Sequence, residues 1–445
     1  MRRLGLLVLA VVGATALAQQ TSPLAAFLAP LKTYPGLQQA LAGVRAAADQ
    51  VEALKNPVGV QASVGYSLLN VSPPDAPGPC NPIDPSYQPN PACFPLPTSA
   101  SQASVGLSFT PVLLGDVGTR VAQASSGLAQ AQLSQRQTLA SLEAQAVQAA
   151  YRVRLAQNAL EVAKQGEEVA NLSLQATQIR LEKGGVTGLE LDQAKQSVAQ
   201  AQANRLQAEE NLMAARHALK DLVGIEEAPD LPLPGLPADG KAASVAQAEL
   251  ALQKAQAGLD NAQWNAYPVV QLGYTHKLSS TASLTLGVNS RSFQPSASVT
   301  YQNPSQTVEP YNRINDQFNI GLAVNFSAGT LPTLDAAQQG VTQAQAALEA
   351  AQRQAALQLE SLRLAHAQAQ RQVELAQNAF ALAQRSLQDA QSREASGLGT
   401  PLATAQAALA QYQAALALDQ ARLGLLASVL NFYIFYAQPL VEVSL

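Results

Sequence analysis

Charge is scarce in this sequence. Asp, Glu, Lys and Arg make up 13% of its 445 residues, against about 25% in ordinary soluble domains. Aromatic residues are scarce as well, at 5%, which argues against a large core packed with Phe and Trp. The net charge of −4 argues against a nucleic-acid partner. Past residue 18 no apolar run approaches the roughly 20 residues that a membrane helix needs, so any crossing of a bilayer has to be made by strands. Catalytic patterns are missing too: there is no nucleophile elbow, no HExxH and no His–carboxylate cluster. His217, His276 and His366 lie far apart, and "GGVTG" is too short and wrongly placed for a phosphate loop. Neither an enzyme nor a cofactor or metal site is expected.

Only two cysteines occur, Cys80 and Cys93, both in "PPDAPGPCNPIDPSYQPNPACFPLP". Their setting depends on the N-terminus. Met1-Arg2-Arg3, the apolar run Leu4 to Val12, and Ala16-Leu17-Ala18 before Gln19 form the pattern of a secretory signal peptide over residues 1–18. In an exported chain the two cysteines are expected to close their loop as a disulfide. A metal site would need a His or a further Cys nearby, and none is there.

What is abundant is Ala, Gln and Leu, arranged twice. "VRAAADQVEALKNPVGVQASVGY" (44–66) resembles "LQKAQAGLDNAQWNAYPVVQLGY" (252–274), each an Ala-rich helix, a proline and an alternating strand. "LEKGGVTGLELDQAKQSVAQAQ" (181–202) resembles "REASGLGTPLATAQAALAQYQA" (393–414), each a helix end, a Gly-rich turn and a new helix. The period is about 210 residues. Helices are predicted near 35–56, 116–183, 187–223, 242–266, 330–396 and 400–436. The long ones carry heptads: Leu139, Leu142, Ala146, Ala149, Val153, Ala156, Leu160 and Ala163 in one, Leu359, Leu362, His366, Ala369, Val373, Ala376, Phe380 and Ala383 in the other. Alternating large residues with Ala along such a seam lets helices approach closely as a coiled coil. The expected organisation is a first repeat over 19–223, a Pro- and Gly-rich equatorial linker over 224–241, a second repeat over 242–437 and a tail over 438–445.

Strands are few but clean. In "SVGLSFT" (104–110), Ser104, Gly106 and Ser108 alternate with Val105, Leu107 and Phe109. Residues 60–68, 270–278 and 318–326 behave likewise. Segments 282–289 and 296–302 also alternate and are taken as an extension of the third strand and its loop, barrel strands or an extracellular hairpin. A soluble sandwich would bury the apolar faces in a core. The helices are too long for a globule, however, and one apolar with one small polar face is the pattern of a transmembrane barrel. Trp264 and Tyr267, at a helix–strand junction, suit an interfacial aromatic belt. Four strands, or six, cannot close a barrel alone, and open edges cannot sit in lipid. The barrel is expected to be shared between chains.

The two turn sequences and the twofold strand–helix repeat resemble the TolC-like outer-membrane efflux proteins over almost the whole mature chain. The resemblance implies a mainly α protein with transmembrane β. Three chains would form a 12-stranded barrel, four strands each, continued by a long α-helical coiled-coil tunnel. It implies a homotrimer in outer-membrane lipid, with its helices in the periplasm, docking a periplasmic adaptor and, through it, an inner-membrane transporter. Such proteins are the exit ducts of tripartite efflux pumps and type I secretion systems. The adaptor-docking tip then falls on Gly184, Gly185, Val186 and Thr187 and on Gly397, Leu398, Gly399 and Thr400. These positions are also ordinary helix-turn chemistry: Thr187 to Glu190 is a capping box, and Thr400-Pro401 is an N-cap followed by Pro at the first helical position. Many members carry two acidic residues just past the second turn. This chain departs there, with Ala403 and Gln406, and has Glu190 and Asp192 in the first repeat, so Glu190, Asp192 and Gln406 are the constriction candidates. The competing reading is an outer-membrane-anchored coiled-coil spacer without a transport role.

Overall fold

The computed structural model describes residues 23–56, 58–68, 99–109, 115–279, 281–303, 315–324 and 329–441. The leader over 1–18 and the Cys80–Cys93 pair lie outside the described residues. In chain order the elements are α1 (Pro23–Leu28), a 3-10 turn (Ala29–Thr33), α2 (Pro35–Lys55), β1 (Val58–Leu68), β2 (Ser99–Phe109), α3 (Gly115–Glu182) and α4 (Gly188–Val223). The second half holds α5 (Ala243–Ala266), β3 (Val269–Lys277), β4 (Ala282–Asn289), β5 (Pro295–Asn303), β6 (Asp316–Ala323), α6 (Thr330–Ala395) and α7 (Pro401–Tyr436). All six expected helices are present, and both halves run helix, strands, long helix, shorter helix, with two described strands in the first and four in the second.

The helix ends follow from local chemistry. Pro35 and Pro401 open α2 and α7 at a position whose N–H has no intrahelical partner. Gly224, at φ +80°, closes α4 with its N–H on the Lys220 carbonyl at 2.8 Å. Between such signals the chain is rich in strong helix formers, and α3 runs for 68 residues, about 100 Å at 1.5 Å per residue.

Two compact units divide the chain. One comprises 1–39, 136–240 and 357–445, the other 40–135 and 241–356. In the first, the α3 seam from Leu139 to Val153 is buried, and from Ala156 onward it is half-buried. Along α6 the eight seam residues from Leu359 to Ala383 are half-buried, with mostly exposed neighbours.

The second unit holds a six-stranded, all-antiparallel sheet in the order β1-β2-β5-β4-β3-β6. The family resemblance implies four strands per chain; the described residues give six. The difference lies in 282–303, where β4 and β5 each take a full place between β2 and β3. Their alternation is as regular as that of their neighbours, which is why they ladder with them.

Candidate functional site

Register turns the alternation into two continuous faces. Val60, Leu107, Ala297, Leu286, Tyr274 and Phe318 stand side by side across all six strands. The next row on the other face is Gln61, Gly106, Ser298, Thr285, Thr275 and Gln317, followed by Gly59, Ser108, Ser296, Gly287, Gly273 and Asn319. Hydroxyls on that face meet each other, Ser63 with Ser104 at 2.7 Å and Thr275 with Thr285 at 3.4 Å. The apolar face is open. On the edge strands Val60, Val64, Tyr66, Phe318, Ile320 and Leu322 are 64% to 87% exposed. The described helices include none long and apolar enough to cross a membrane. A sheet with one face apolar except at the end away from the helices, where Ser101, Asn303 and the His276–Asp316 pair stand, in a chain of low charge, is built to meet hydrocarbon on that face.

Both Gly-rich turns reverse the chain tightly. After α3, Gly184 adopts φ +73°, and the N–H groups of Gly184 and Gly185 donate to the carbonyls of Leu181 and Arg180 at 2.9 and 2.8 Å. These bonds satisfy the last helical carbonyls. Thr187 then caps α4: its Oγ1 accepts from the Glu190 N–H at 3.4 Å, and its own N–H donates to Glu190 Oε2 at 3.0 Å. After α6, Gly397 adopts φ +71°, and Leu398 N–H donates to the Arg393 carbonyl at 2.8 Å. A Cβ on Gly399 would stand 2.8 Å from the Glu394 nitrogen, so no side chain fits there. Thr400 Oγ1 accepts from the Ala403 N–H at 3.2 Å. Leu398, at the apex, is 84% exposed. Val186 is half-buried and Thr187 exposed.

The three constriction candidates do not act alike. Glu190 is held in its capping box, and Asp192 pairs with Lys195 at 3.2 Å. Gln406 instead lines a groove between α3, α4 and α7 whose α4 wall is a run of side-chain amides including Gln193, Gln196, Gln200 and Asn204. Glu190 and Asp192 are not among the residues lining it. The groove is polar without being charged.

Two features escaped the sequence reading. First, Leu357, Leu364, Leu375 and Leu382 of α6 are 62% to 69% exposed. At about 100° per residue they form one stripe, roughly opposite the seam from Leu359 to Ala383. The helix is apolar on two opposite sides, and only one is covered by the described residues. Second, Glu143 is fully buried in α3. Its Oε2 accepts the backbone N–H of Leu440 at 2.5 Å, Val441 N–H also bonds the carboxyl, and Oε1 has no partner. Burial pushes this carboxyl up to about 7, although the two N–H donors pull it down. Nearby, Tyr151 OH donates to the Leu231 carbonyl at 2.8 Å and Tyr433 OH to the Gly235 carbonyl at 3.1 Å, strapping the linker to α3 and α7. Burial, and next the Glu143 charge, push the Tyr433 phenol up. Among the described residues no three His, Cys, Asp or Glu side chains gather into a metal-sized group.

Part of the chain matches a known family, and nearly all of it a known fold. Residues 30–225, from the 3-10 turn before α2 through the first Gly-rich turn to just past the end of α4, match the family described as outer membrane efflux protein. Over nearly the whole chain the fold is similar to that of solved outer membrane channels. The outer membrane protein VceC of Vibrio cholerae superposes at a TM-score of 0.61 with 19% identity, over 93% of this chain and 95% of that one. The Campylobacter jejuni CmeC outer membrane channel gives a TM-score of 0.64 with 16% identity, over 92% and 84%. The open state of the Neisseria gonorrhoeae MtrE outer membrane channel gives 0.61 with 18% identity, over 95% and 90%. Among curated proteins none matches the sequence.

Proposed function

We propose that the chain is one copy of a homotrimeric outer-membrane exit duct, a passive conduit from periplasm to exterior serving a tripartite efflux pump or a type I secretion system. The observation that carries this reading is the two-faced sheet. Its apolar face meets lipid, and its Gly, Ser, Thr, Asn and Gln face meets water. A coiled-coil spacer anchored in the membrane needs no such wet face, so the sheet favours a channel over that alternative.

Closure of the barrel and tunnel needs further copies. The edges β1 and β6 carry unpaired N–H and C=O groups that hydrocarbon does not tolerate. The leucine stripe of α6 asks for a second seam of the kind that joins helices side by side into a tube. In this reading the repeats 19–223 and 242–437 supply wall and tunnel, with 224–241 as the equatorial linker. The Gly-rich turns at Gly184–Thr187 and Gly397–Thr400 are the periplasmic tip, where an adaptor docks and connects to an inner-membrane transporter. Leu398 and Leu189, both largely exposed, are the apolar contacts such a partner would cover. The constriction is assigned to the amide-lined helices that carry Gln406.

Single-channel recording of the purified protein in planar bilayers tests the reading. Discrete conductance steps are expected. A purified oligomer that inserts into vesicles and leaves them sealed to ions would refute it.

A further inference from the structure

Two observations place β4 and β5 in relation to the helices. The turn between them, residues 290–294, lies at the helical end of the sheet. Arg291 donates from its guanidinium to the Asn265 carbonyl near the end of α5 at 3.2 Å. The Phe293 ring meets Trp264 of α5 edge-on at 6.5 Å. Gly115, the first residue of α3, approaches the same turn so closely that a Cβ would stand 2.1 Å from the Arg291 carbonyl oxygen; at φ +62° only glycine suits this place. A flap standing above a barrel on its outer side would turn far from the helix ends. This hairpin returns to them.

The second observation is the continuity of both faces. Leu284 and Leu286 of β4 and Val299 of β5 stand on the face of Val60 and Phe318, the Leu284 row passing to His276 and Asp316 at the β6 edge, whereas Ser283, Thr285, Ser298 and Thr300 stand on the polar face. An extracellular hairpin bathed in water on both sides has no reason to keep its leucines on the lipid-facing side of its neighbours. We infer that β4 and β5 are full strands of the barrel wall, so that each copy contributes six strands and three copies close an 18-stranded barrel in place of the 12-stranded one the family resemblance implies. The inference rests on the trimeric duct proposed above.

The geometry of closure is consistent with it. Five antiparallel steps separate β1 from β6, so these edges run in opposite directions. Pairing β6 of one copy with β1 of the next therefore continues the antiparallel order with no break. With strands 4.8 Å apart and tilted by about 40°, the backbone radius rises from about 12 Å at twelve strands to about 18 Å at eighteen. The outer-membrane part of the duct becomes about half as wide again, and its lining gains two strands of small polar side chains per copy.

Site-directed spin labelling tests the assignment on the full-length oligomer in vesicles. Single cysteines at Leu284→Cys, Leu286→Cys, Ser283→Cys and Thr285→Cys, in a background with Cys80→Ser and Cys93→Ser, report contact with membrane-soluble oxygen or with a water-soluble nickel chelate. Oxygen is expected to dominate at 284 and 286 and nickel at 283 and 285. Equal nickel access at all four positions would overturn the inference and leave the channel reading intact. Normal alternation in a protein without conductance would sink the channel reading and leave the strands where they are. Electron cryomicroscopy of the unsubstituted oligomer is independent of the cysteine variants: eighteen strands in cross-section are expected, and twelve would overturn the inference.

Discussion

The backbone N–H of Leu440 donates to the carboxylate of Glu143 at 2.5 Å, fastening the end of the described chain onto the middle of a helix 297 residues earlier. The second oxygen of that carboxylate is buried without a partner, so the site favours the protonated form.

A pH dependence follows. The carboxyl titrates near 7 in the folded protein and near 4.5 in the unfolded chain. Between these values the folded state holds the extra proton, so stability falls as pH rises from about 4.5 to about 7 and is level above. Glu143→Gln keeps an acceptor for the two N–H groups and cannot ionise. The variant is expected to match the parent at pH 4.5 and to exceed it at pH 8 by an amount of order 1–3 kcal/mol, read as a pH-dependent difference in melting temperature. A difference independent of pH would contradict the assignment.

The second turn should depend on its glycines. Gly399→Ala forces the backbone of Arg393 and Glu394 to shift, and Gly397→Ala strains a left-handed position by about 1 kcal/mol. Both variants should fold and remain oligomeric. Hydrogen exchange is expected to rise over 390–404 and nowhere else, and adaptor binding in a pull-down should fall. Unchanged adaptor binding with increased exchange would remove this turn from the docking surface.

Gate selectivity gives a third test. Because Glu190 is tied to Thr187 and Asp192 to Lys195, Glu190→Gln should shift the reversal potential in asymmetric KCl little, and Gln can still close the capping box. Gln406→Asp adds a carboxylate to each copy in an uncharged groove and should raise cation selectivity. Strong cation selectivity in the parent, abolished by Glu190→Gln, would move the constriction to the first repeat.

A fourth concerns α6. Leu364→Lys and Leu375→Lys place charge on the uncovered stripe and leave the buried seam alone. Helix content by circular dichroism should hold, whereas the oligomer should dissociate at lower temperature or detergent concentration in sedimentation. Stable oligomers from the double variant would show that the stripe faces something other than a copy.

Much of this was legible in the sequence. Thr187 with Glu190, Pro401 after Thr400, and Gly224 mark helix ends by local chemistry, so the helix boundaries fell within a residue or two of the expected ones. Alternation marked every described strand, since a period of two survives any tertiary context. The standing of β4 and β5 was not legible. Asn289 to Gln294 is a turn without the Asn-Gly or Asp-Gly signal of a tight hairpin, and its place at the helix ends depends on Gly115, Trp264 and Asn265, none of them adjacent in sequence to it. Glu143 escaped because its burial is made by Leu440 and Val441. The leucine stripe escaped because two interleaved seams on one helix blur each other's period.

The unpaired edges of the sheet have a consequence for how copies meet. A lone chain exposes two strand edges at once, together with an oily sheet face and an uncovered leucine stripe. Such a species is aggregation-prone in water and poorly tolerated in lipid. In the proposed oligomeric duct, insertion and association are therefore expected to proceed as one concerted event, whose rate should climb steeply with the local number of chains. A half-built ring, with edges still open at both ends, is the state that escorting factors in the envelope would have to shield.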